Sequence, residues 1–274
     1  MPITSLIFGA IVGLSLGLTG GGGAIFAVPL LVYGMGLSAK DAVATSLSAV
    51  GAISIVGFLS HWHRGNVELR TGLLFAVAGM VGAPIGTWIA GLLSQTLLLL
   101  LFAALMAVVA VRLWQKAGQV QSELRPAVDG QDCMATGPSC ERDPSGVLIM
   151  SSCCAVLLVI VGVITGVLSG LFGVGGGFII VPALVLFSGM SIHRAVGTSL
   201  MVIVLISASG VASQILAGRI VSGEITLLFV AGGVAGLFAG QAIGRKLSGP
   251  SLQKTFAVAI LLVAAFVIVR NIFG

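Results

Sequence analysis

Charged residues are scarce in this 274-residue chain. Asp, Glu, Lys and Arg together make up 8% of the residues, whereas 58% are hydrophobic. A soluble domain carries roughly a quarter charged residues. No soluble fold of this length could bury so much apolar surface, so the composition excludes a water-soluble globular protein and predicts a membrane protein.

Cysteine and the motifs of enzymes are also missing or rare. The chain has four cysteines, at 133, 140, 153 and 154. Their spacing fits no zinc pattern, and we expect free thiols. The sequence has no GxxxxGK[ST] motif, no H-E-x-x-H motif and no plausible pair of nucleophile and base. We therefore expect no catalytic residue, no metal site and no cofactor, and an intramembrane enzyme or assembly factor is only a weak alternative.

What the chain has in abundance is long runs without charge. Five such runs are Ile3–Gly34, Thr71–Val111, Pro144–Ile192, Ile225–Gly244 and Thr255–Val269. Several exceed the roughly 20 residues that a helix needs to cross the hydrocarbon core. They are solidly apolar, whereas the strands of a membrane barrel alternate in polarity. The sequence predicts an all-α membrane protein.

The first half of the chain is repeated in the second half. Residues 17–47 and residues 170–200 are identical at 16 of 31 positions, at a constant offset of 153. The extended hydrophilic stretch lies between the copies. We therefore predict a first transmembrane repeat at 1–114, a hydrophilic linker at 115–146 and a second transmembrane repeat at 147–274.

Each repeat is predicted to contain a helix or hairpin broken by glycine, followed by three transmembrane helices. The broken elements are Ile3–Leu18 with Ala24–Tyr33, and Val147–Leu171 with Phe178–Phe187. The helices are Ala42–Ser60, Thr71–Ala90, Thr96–Leu113, Ala195–Ala217, Ile225–Gly244 and Leu252–Ile268. Glycines 79, 82 and 86 recur as glycines 233, 236 and 240, a spacing that predicts tightly packed helices.

The distribution of basic residues favours two repeats of opposite orientation. If each repeat crosses the membrane an even number of times, the 13 basic residues divide eight to five. If each crosses an odd number of times, they divide ten to three, with Lys40, Arg219 and Arg270 in the minority. Because cytoplasmic loops are rich in Lys and Arg, we predict inverted repeats, a cytoplasmic linker and external termini. The net positive charge then reflects topology, and no nucleic-acid partner is expected.

The glycine clusters at residues 20–23 and 173–177 are the candidate binding site. A helix that restarts after such a break presents unpaired backbone N–H groups and a positive dipole end, which together attract an anion. Irregular backbone at membrane depth must be buried or line a cavity. The alternative is that the glycines serve close packing and a hinge.

Each cluster is followed by a Thr-Ser pair that could complete the site. Hydroxyls can donate to an anion, but Thr and Ser in helices often bond back to their own carbonyls, which is the alternative here. Other polar residues on the same helices are less symmetric and weaker candidates, namely Ser48, Ser207, Ser209, Ser213 and Gln214. The predicted substrate-binding residues are Gly21, Gly22, Gly23, Thr45, Ser46, Gly175, Gly176, Gly177, Thr198 and Ser199.

The two motifs GLTGGGGAIFAVP and GLFGVGGGFIIVP, each followed by A-V-x-T-S-L, resemble those of the sulfite exporter TauE/SafE family of membrane permeases. The resemblance covers both repeats. It implies transport of sulfur-containing anions such as sulfite, thiosulfate, sulfoacetate or other organosulfonates across the bacterial inner membrane. Thr19 and Gly21 in the first copy stand where the second has Phe172 and Val174, so the half that contacts substrate more closely stays open.

Taken without the resemblance, the residues predict a secondary carrier for a small anion, with a central site between the repeats. The chief alternative is an anion channel in which the glycine breaks form an open filter. The expected partners are the anionic substrate and membrane lipid, and the oligomeric state, a homodimer included, stays open. The resemblance implies that the protein lies in the inner (cytoplasmic) membrane of a bacterium.

Overall fold

The computed structural model describes residues 2–119, 141–142, 148–149, 152–188, 190–218, 223–244, 258 and 260–270. In the first repeat the helices are α1 (Pro2–Thr19), α2 (Ala27–Pro29), α3 (Ala39–Trp62), α4 (Leu69–Leu92) and α5 (Gln95–Gln119). A 3-10 helix (Gly22–Phe26) and a π-helix (Leu30–Gly34) flank α2. The second repeat contains α6 (Ser152–Phe172), α7 (Gly177–Ser188), α8 (Ile192–Leu216), α9 (Gly223–Gly244) and α10 (Ile260–Arg270). Two-residue strands, β1 (Glu141–Arg142) and β2 (Leu148–Ile149), pair between the repeats.

The prediction of an all-helical membrane protein is confirmed. Five helices of the described chain, α3, α4, α6, α8 and α9, are long and apolar enough to cross a bilayer. Their outward faces carry large hydrophobic side chains such as Val81, Trp88 and Leu227, which are 61%, 68% and 72% exposed. In water these side chains would be costly, and lipid removes that cost.

Three details differ from the sequence analysis or lie outside what the structure describes. Helix α5 continues to Gln119, past its predicted end at Leu113 and into the predicted linker. Residues 120–140 and 143–146 of that linker, and residues 252–257 and 259 of the last predicted helix, lie outside the described residues. Cys154 is disulfide-bonded, so the expectation of a free thiol at that position is wrong.

The chain reverses direction at the first glycine break. A Cβ on Gly23 would overlap Ser15, and one on Gly34 would overlap the ring of Phe8. Further along, the Ser5 hydroxyl lies 3.6 Å from the sulfur of Met35. As the residue number rises from 23 to 35 after the break, the number of the contacted residue in α1 falls from 15 to 5. Residues 22–34 therefore run back along α1. Of the two predicted forms, a broken helix and a hairpin, the first repeat adopts the hairpin.

The first helix of each repeat packs against the third long helix of the other repeat. Gly9, Gly13 and Gly17 of α1 lie against the backbone of Phe229, Gly233 and Leu237 in α9. Gly162, Gly166 and Gly170 of α6 lie in the same way against Phe75, Gly79 and Ala83 in α4. Residue numbers rise together in both pairs, so each pair is parallel. Glycine at every fourth position permits this backbone contact, because it leaves one face of the helix without side chains.

Helices α3 and α8, which are equivalent in the two repeats, cross at the centre of the protein. Leu47 meets Gly210, Gly51 meets Ser207, and Gly57 meets Leu200. The numbers fall on α8 as they rise on α3, so the two helices run antiparallel. Most of this contact is buried and apolar, with Val50, Ile53, Ile203 and Ile206 inaccessible to solvent.

The backbone contacts between the repeats predict which glycines the fold requires. Gly13→Ala would place a methyl group on the carbonyl of Gly233, and Gly166→Ala would place one on the carbonyl of Gly79. Overpacking of this kind costs about 1–3 kcal/mol. Each variant should therefore lower the thermal unfolding temperature of the purified protein in detergent.

Gly223→Ala is the matched control, because a Cβ there has no atom of the described residues within 4 Å. It should unfold at the temperature of the parent protein. Gly13→Ala and Gly166→Ala variants as stable as this control would contradict the backbone contact.

Candidate functional site

Helices α1 and α6 end in the same way, at equivalent glycines. The N–H of Gly20 donates to the carbonyl of Leu16 at 2.7 Å, and the N–H of Gly173 donates to that of Ser169 at 2.8 Å. Both glycines have left-handed backbone, with φ of 73° and 69°. This conformation closes a helix and strongly favours glycine, which carries no Cβ. The two breaks predicted from the sequence therefore begin with the same helix cap.

The two breaks touch each other inside the protein. A Cβ on Gly21 would lie 2.6 Å from the Cα of Gly177, and one on Gly177 would lie 2.5 Å from the Cα of Gly21. Both residues are buried. No side chain fits between them, so the irregular backbone of one repeat lies directly on that of the other.

A serine from each repeat holds the glycine break of the other. The Ser46 hydroxyl donates to the carbonyl oxygen of Gly173 at 2.5 Å, and the Ser199 hydroxyl donates to that of Gly20 at 2.6 Å. Both hydroxyls are also close to a carbonyl of their own helix, Val43 at 3.2 Å and Val196 at 2.8 Å. Each hydroxyl has one proton, and in this conformation carbonyl oxygens accept it.

The threonines of the two pairs differ from their serine neighbours and from each other. Thr198 accepts a hydrogen bond from the backbone N–H of Glu68 at 2.9 Å, in the loop between α3 and α4. The hydroxyl of Thr45 is buried and has no partner in the described chain. The threonines are therefore not symmetric in their bonding, although their positions are equivalent.

The remaining glycines of the predicted site lie around the point where the breaks meet. Gly22 is half-buried, and a Cβ there would be 3.0 Å from the Thr19 hydroxyl. Gly175 and Gly176 have φ of 66° and 68°. A Cβ on Gly175 would lie 3.1 Å from Ile203, and one on Gly176 would overlap Thr165. The structure thus brings glycines of both clusters together, with Ser46 and Ser199 beside them.

The breaks offer neutral hydrogen-bond donors. Within the described chain, the backbone N–H groups of Gly22, Gly23, Gly175 and Gly176 have no acceptor. After the second break, α7 begins at Gly177 and runs for 12 residues, so its first N–H groups point into this region. The buried polar residues of the described chain are Ser, Thr, Gln and His, without a buried Asp, Glu, Lys or Arg. The region can therefore hold an anion by dipoles, with no opposite charge.

Sequence reasoning missed one pair of polar residues at the centre. Ser54 is 0% exposed and its equivalent Ser207 is 1% exposed, and neither hydroxyl has a partner in the described chain. The sequence pattern predicts Ser207 only as a weaker candidate, and Ser54 is absent from the predicted site residues. The offset of 153 that relates the two repeats also relates these two serines, so the repeat itself was the signal that could have found them.

Comparison with known proteins agrees with the architecture. The model of the sulfite exporter TauE/SafE family matches residues 5–267. A "Probable membrane transporter protein" of Xylella fastidiosa is 33% identical over 99% of this chain and 98% of the relative. "Probable membrane transporter protein YunE" of Bacillus subtilis is 26% identical over 98% of both chains. No solved structure matches the chain. With the family model matched over nearly its whole length, the chain belongs to the sulfite exporter TauE/SafE family of membrane transporters.

Proposed function

We propose that the protein is a secondary transporter that moves a small sulfur-containing anion, such as sulfite or an organosulfonate, across the membrane. The observation that carries this proposal is the contact between the two glycine breaks at Gly21 and Gly177. It joins the unpaired N–H groups of both repeats in one buried region. An anion bound there would accept hydrogen bonds from both halves of the protein.

The chemistry of the region suits an anion that must also be released. Backbone N–H groups and the start of α7 supply partial positive charge. A buried Lys or Arg would hold the anion more tightly and would itself have to be desolvated. Neutral donors therefore fit a carrier, whose substrate has to leave on the opposite side. The family supports sulfur anions as the substrate class, while the printed names of the relatives specify only membrane transport.

We also propose that the two repeats cross the membrane in opposite directions. The antiparallel course of the equivalent helices α3 and α8 supports this, because a twofold axis perpendicular to both helices would relate them. The parallel pairs α1 with α9 and α4 with α6 are consistent with the same axis. In transporters of inverted repeats, substrate sites lie near the bilayer midplane at the repeat interface. The meeting point of the glycine breaks would be that site.

A carrier fits the described conformation better than a channel does. The backbones of Gly21 and Gly177 are in contact, so no open path exists between them. A channel needs a continuous route in its conducting state. A carrier needs a closed state between its two open ones, and the hairpin at the first break is an element that could move between them.

We propose that the protein lies in the inner membrane of a bacterium and that its linker is on the cytoplasmic side. The ten-to-three division of basic residues supports it. The disulfide of Cys154 argues against this orientation, because Cys154 lies close to the linker and disulfides persist chiefly in oxidising compartments. The orientation therefore needs its own experiment.

That experiment is labelling of a single cysteine. Val120→Cys, in a protein that otherwise lacks cysteine, should react with a membrane-impermeant maleimide only after the cells are permeabilised. Parallel labelling of a cysteine placed at the amino terminus should occur in intact cells. Reaction at position 120 in intact cells would contradict the cytoplasmic linker.

Uptake into liposomes tests the proposed function. Purified protein should carry at least one of sulfite, thiosulfate, sulfoacetate and taurine at a rate that saturates, with sulfate included for comparison. A Gly22→Ala variant should reduce this uptake by on the order of tenfold, because its methyl group would crowd the N–H groups that bind the anion. The backbone at Gly22 accepts alanine, and the nearest atom is a side-chain hydroxyl, so the variant should fold.

Gly223→Ala is again the control and should transport like the parent protein. Uptake of none of sulfite, thiosulfate, sulfoacetate and taurine by well-folded parent protein would contradict the proposed substrate class. Unchanged uptake by folded Gly22→Ala protein would contradict the placement of the site at the glycine breaks.

A further inference from the structure

We propose that Ser54 and Ser207 bind the transported anion directly, as a pair of hydroxyl donors on the helices that cross at the centre of the protein. This inference rests on the proposed function, and it adds a binding position outside the glycine breaks and the Thr-Ser pairs. The ligand class that it implies is an oxyanion with at least two oxygen atoms, one for each serine.

The first argument is the absence of any partner for these two hydroxyls. Ser54 and Ser207 are buried, and within the described chain neither donates or accepts a hydrogen bond. Buried polar groups in proteins are nearly always hydrogen-bonded, because leaving one unsatisfied is costly. Two such groups at equivalent positions of a repeated sequence need an explanation.

The neighbouring serines on the same helices show that a bond to the backbone is readily available. On α3, Ser48 donates to the carbonyl of Ala44 at 2.9 Å. On α8, Ser213 donates to the carbonyl of Ser209 at 2.9 Å, and Ser209 donates to that of Met80 at 2.8 Å. Ser54 and Ser207 do not make the usual bond to their own helix, so their protons remain available for a ligand.

The second argument is position. A Cβ on Gly51 of α3 would lie 3.5 Å from the Ser207 hydroxyl oxygen, and a Cβ on Gly175 of the second break would lie 3.6 Å from it. The Ser207 hydroxyl therefore lies between the helix crossing and the glycine break. A ligand at the break is within reach of this hydroxyl.

Ser54 lies on the same face of the crossing. It is three residues after Gly51 on α3, and residues three apart share one face of a helix. Because Gly51 faces Ser207, Ser54 and Ser207 are about 4.5 Å apart along the helix axis, at 1.5 Å per residue. The two serines come from opposite repeats and can approach one small ligand from both sides.

The chemistry of the pair selects the ligand class. A serine hydroxyl donates one hydrogen bond and carries no charge. Two hydroxyls separated in this way match two different oxygen atoms of one oxyanion. They add donors to the neutral N–H groups of the breaks, and a bond to an ionised oxygen is stronger than one between neutral groups.

The test measures sulfite uptake, or uptake of whichever of sulfite, thiosulfate, sulfoacetate and taurine the parent protein carries, in liposomes with Ser54→Ala and Ser207→Ala variants. Ser48→Ala is the matched control, because Ser48 is bonded to its own helix on α3. Each of the first two variants should raise the KM for uptake by about ten- to hundredfold. The control should stay within about twofold of the parent.

Thermal unfolding of the same variants separates binding from structure. Since each substituted hydroxyl has no partner in the part of the chain that the structure describes, the unfolding temperatures of Ser54→Ala and Ser207→Ala proteins should not fall. Variants that unfold at lower temperature would show a structural role and overturn the inference, as would KM values within twofold of the parent. With either of these results for the variants, the parent protein still transports, so the proposed function stands. Failure of the parent protein to carry sulfite, thiosulfate, sulfoacetate or taurine overturns both.

Discussion

Glycine at every fourth position lets α1 lie backbone to backbone on α9, and α6 lie in the same way on α4. These contacts join different repeats, so neither repeat can complete its fold alone. In lipid, apolar side chains gain little by leaving their solvent, and close contact between helices becomes the main source of association. The ends of α1 and α6, where the glycine breaks begin, are therefore positioned by the opposite half of the protein.

The same dependence continues at the breaks. Ser46 of one repeat bonds to Gly173 of the other, and Ser199 bonds to Gly20. A movement of α3 relative to α8 would pull on both breaks at once, because each helix is bonded to the opposite break. That coupling suits a carrier, in which binding at one site must control access from two sides. The neutral character of the donors suits it as well, since a substrate without a fixed countercharge can be released.

Much of this architecture could be predicted from the sequence, because the repeat and the apolar runs are local patterns. The helix bounds, the two breaks and the tight packing at Gly79 and Gly233 follow from such patterns. The partner of each helix does not, since α1 packs on a helix more than 200 residues away. The sequence also indicated serine hydroxyls near the breaks. It could not show that carbonyl oxygens accept their protons, because each of these hydrogen bonds joins residues that are far apart in the chain. Ser54 was missed because a single serine in an apolar helix forms no local motif, and only the offset of 153 that relates it to Ser207 distinguishes it.

The central claim is that the two glycine breaks form one anion site between the repeats. Equilibrium binding of a radiolabelled substrate, sulfite or whichever of the tested compounds the protein carries, to the purified protein in detergent tests this claim most directly, because it counts sites without requiring transport. We predict saturable binding of one anion per chain. Two independent anions per chain, or no saturable binding by folded protein, would contradict the claim.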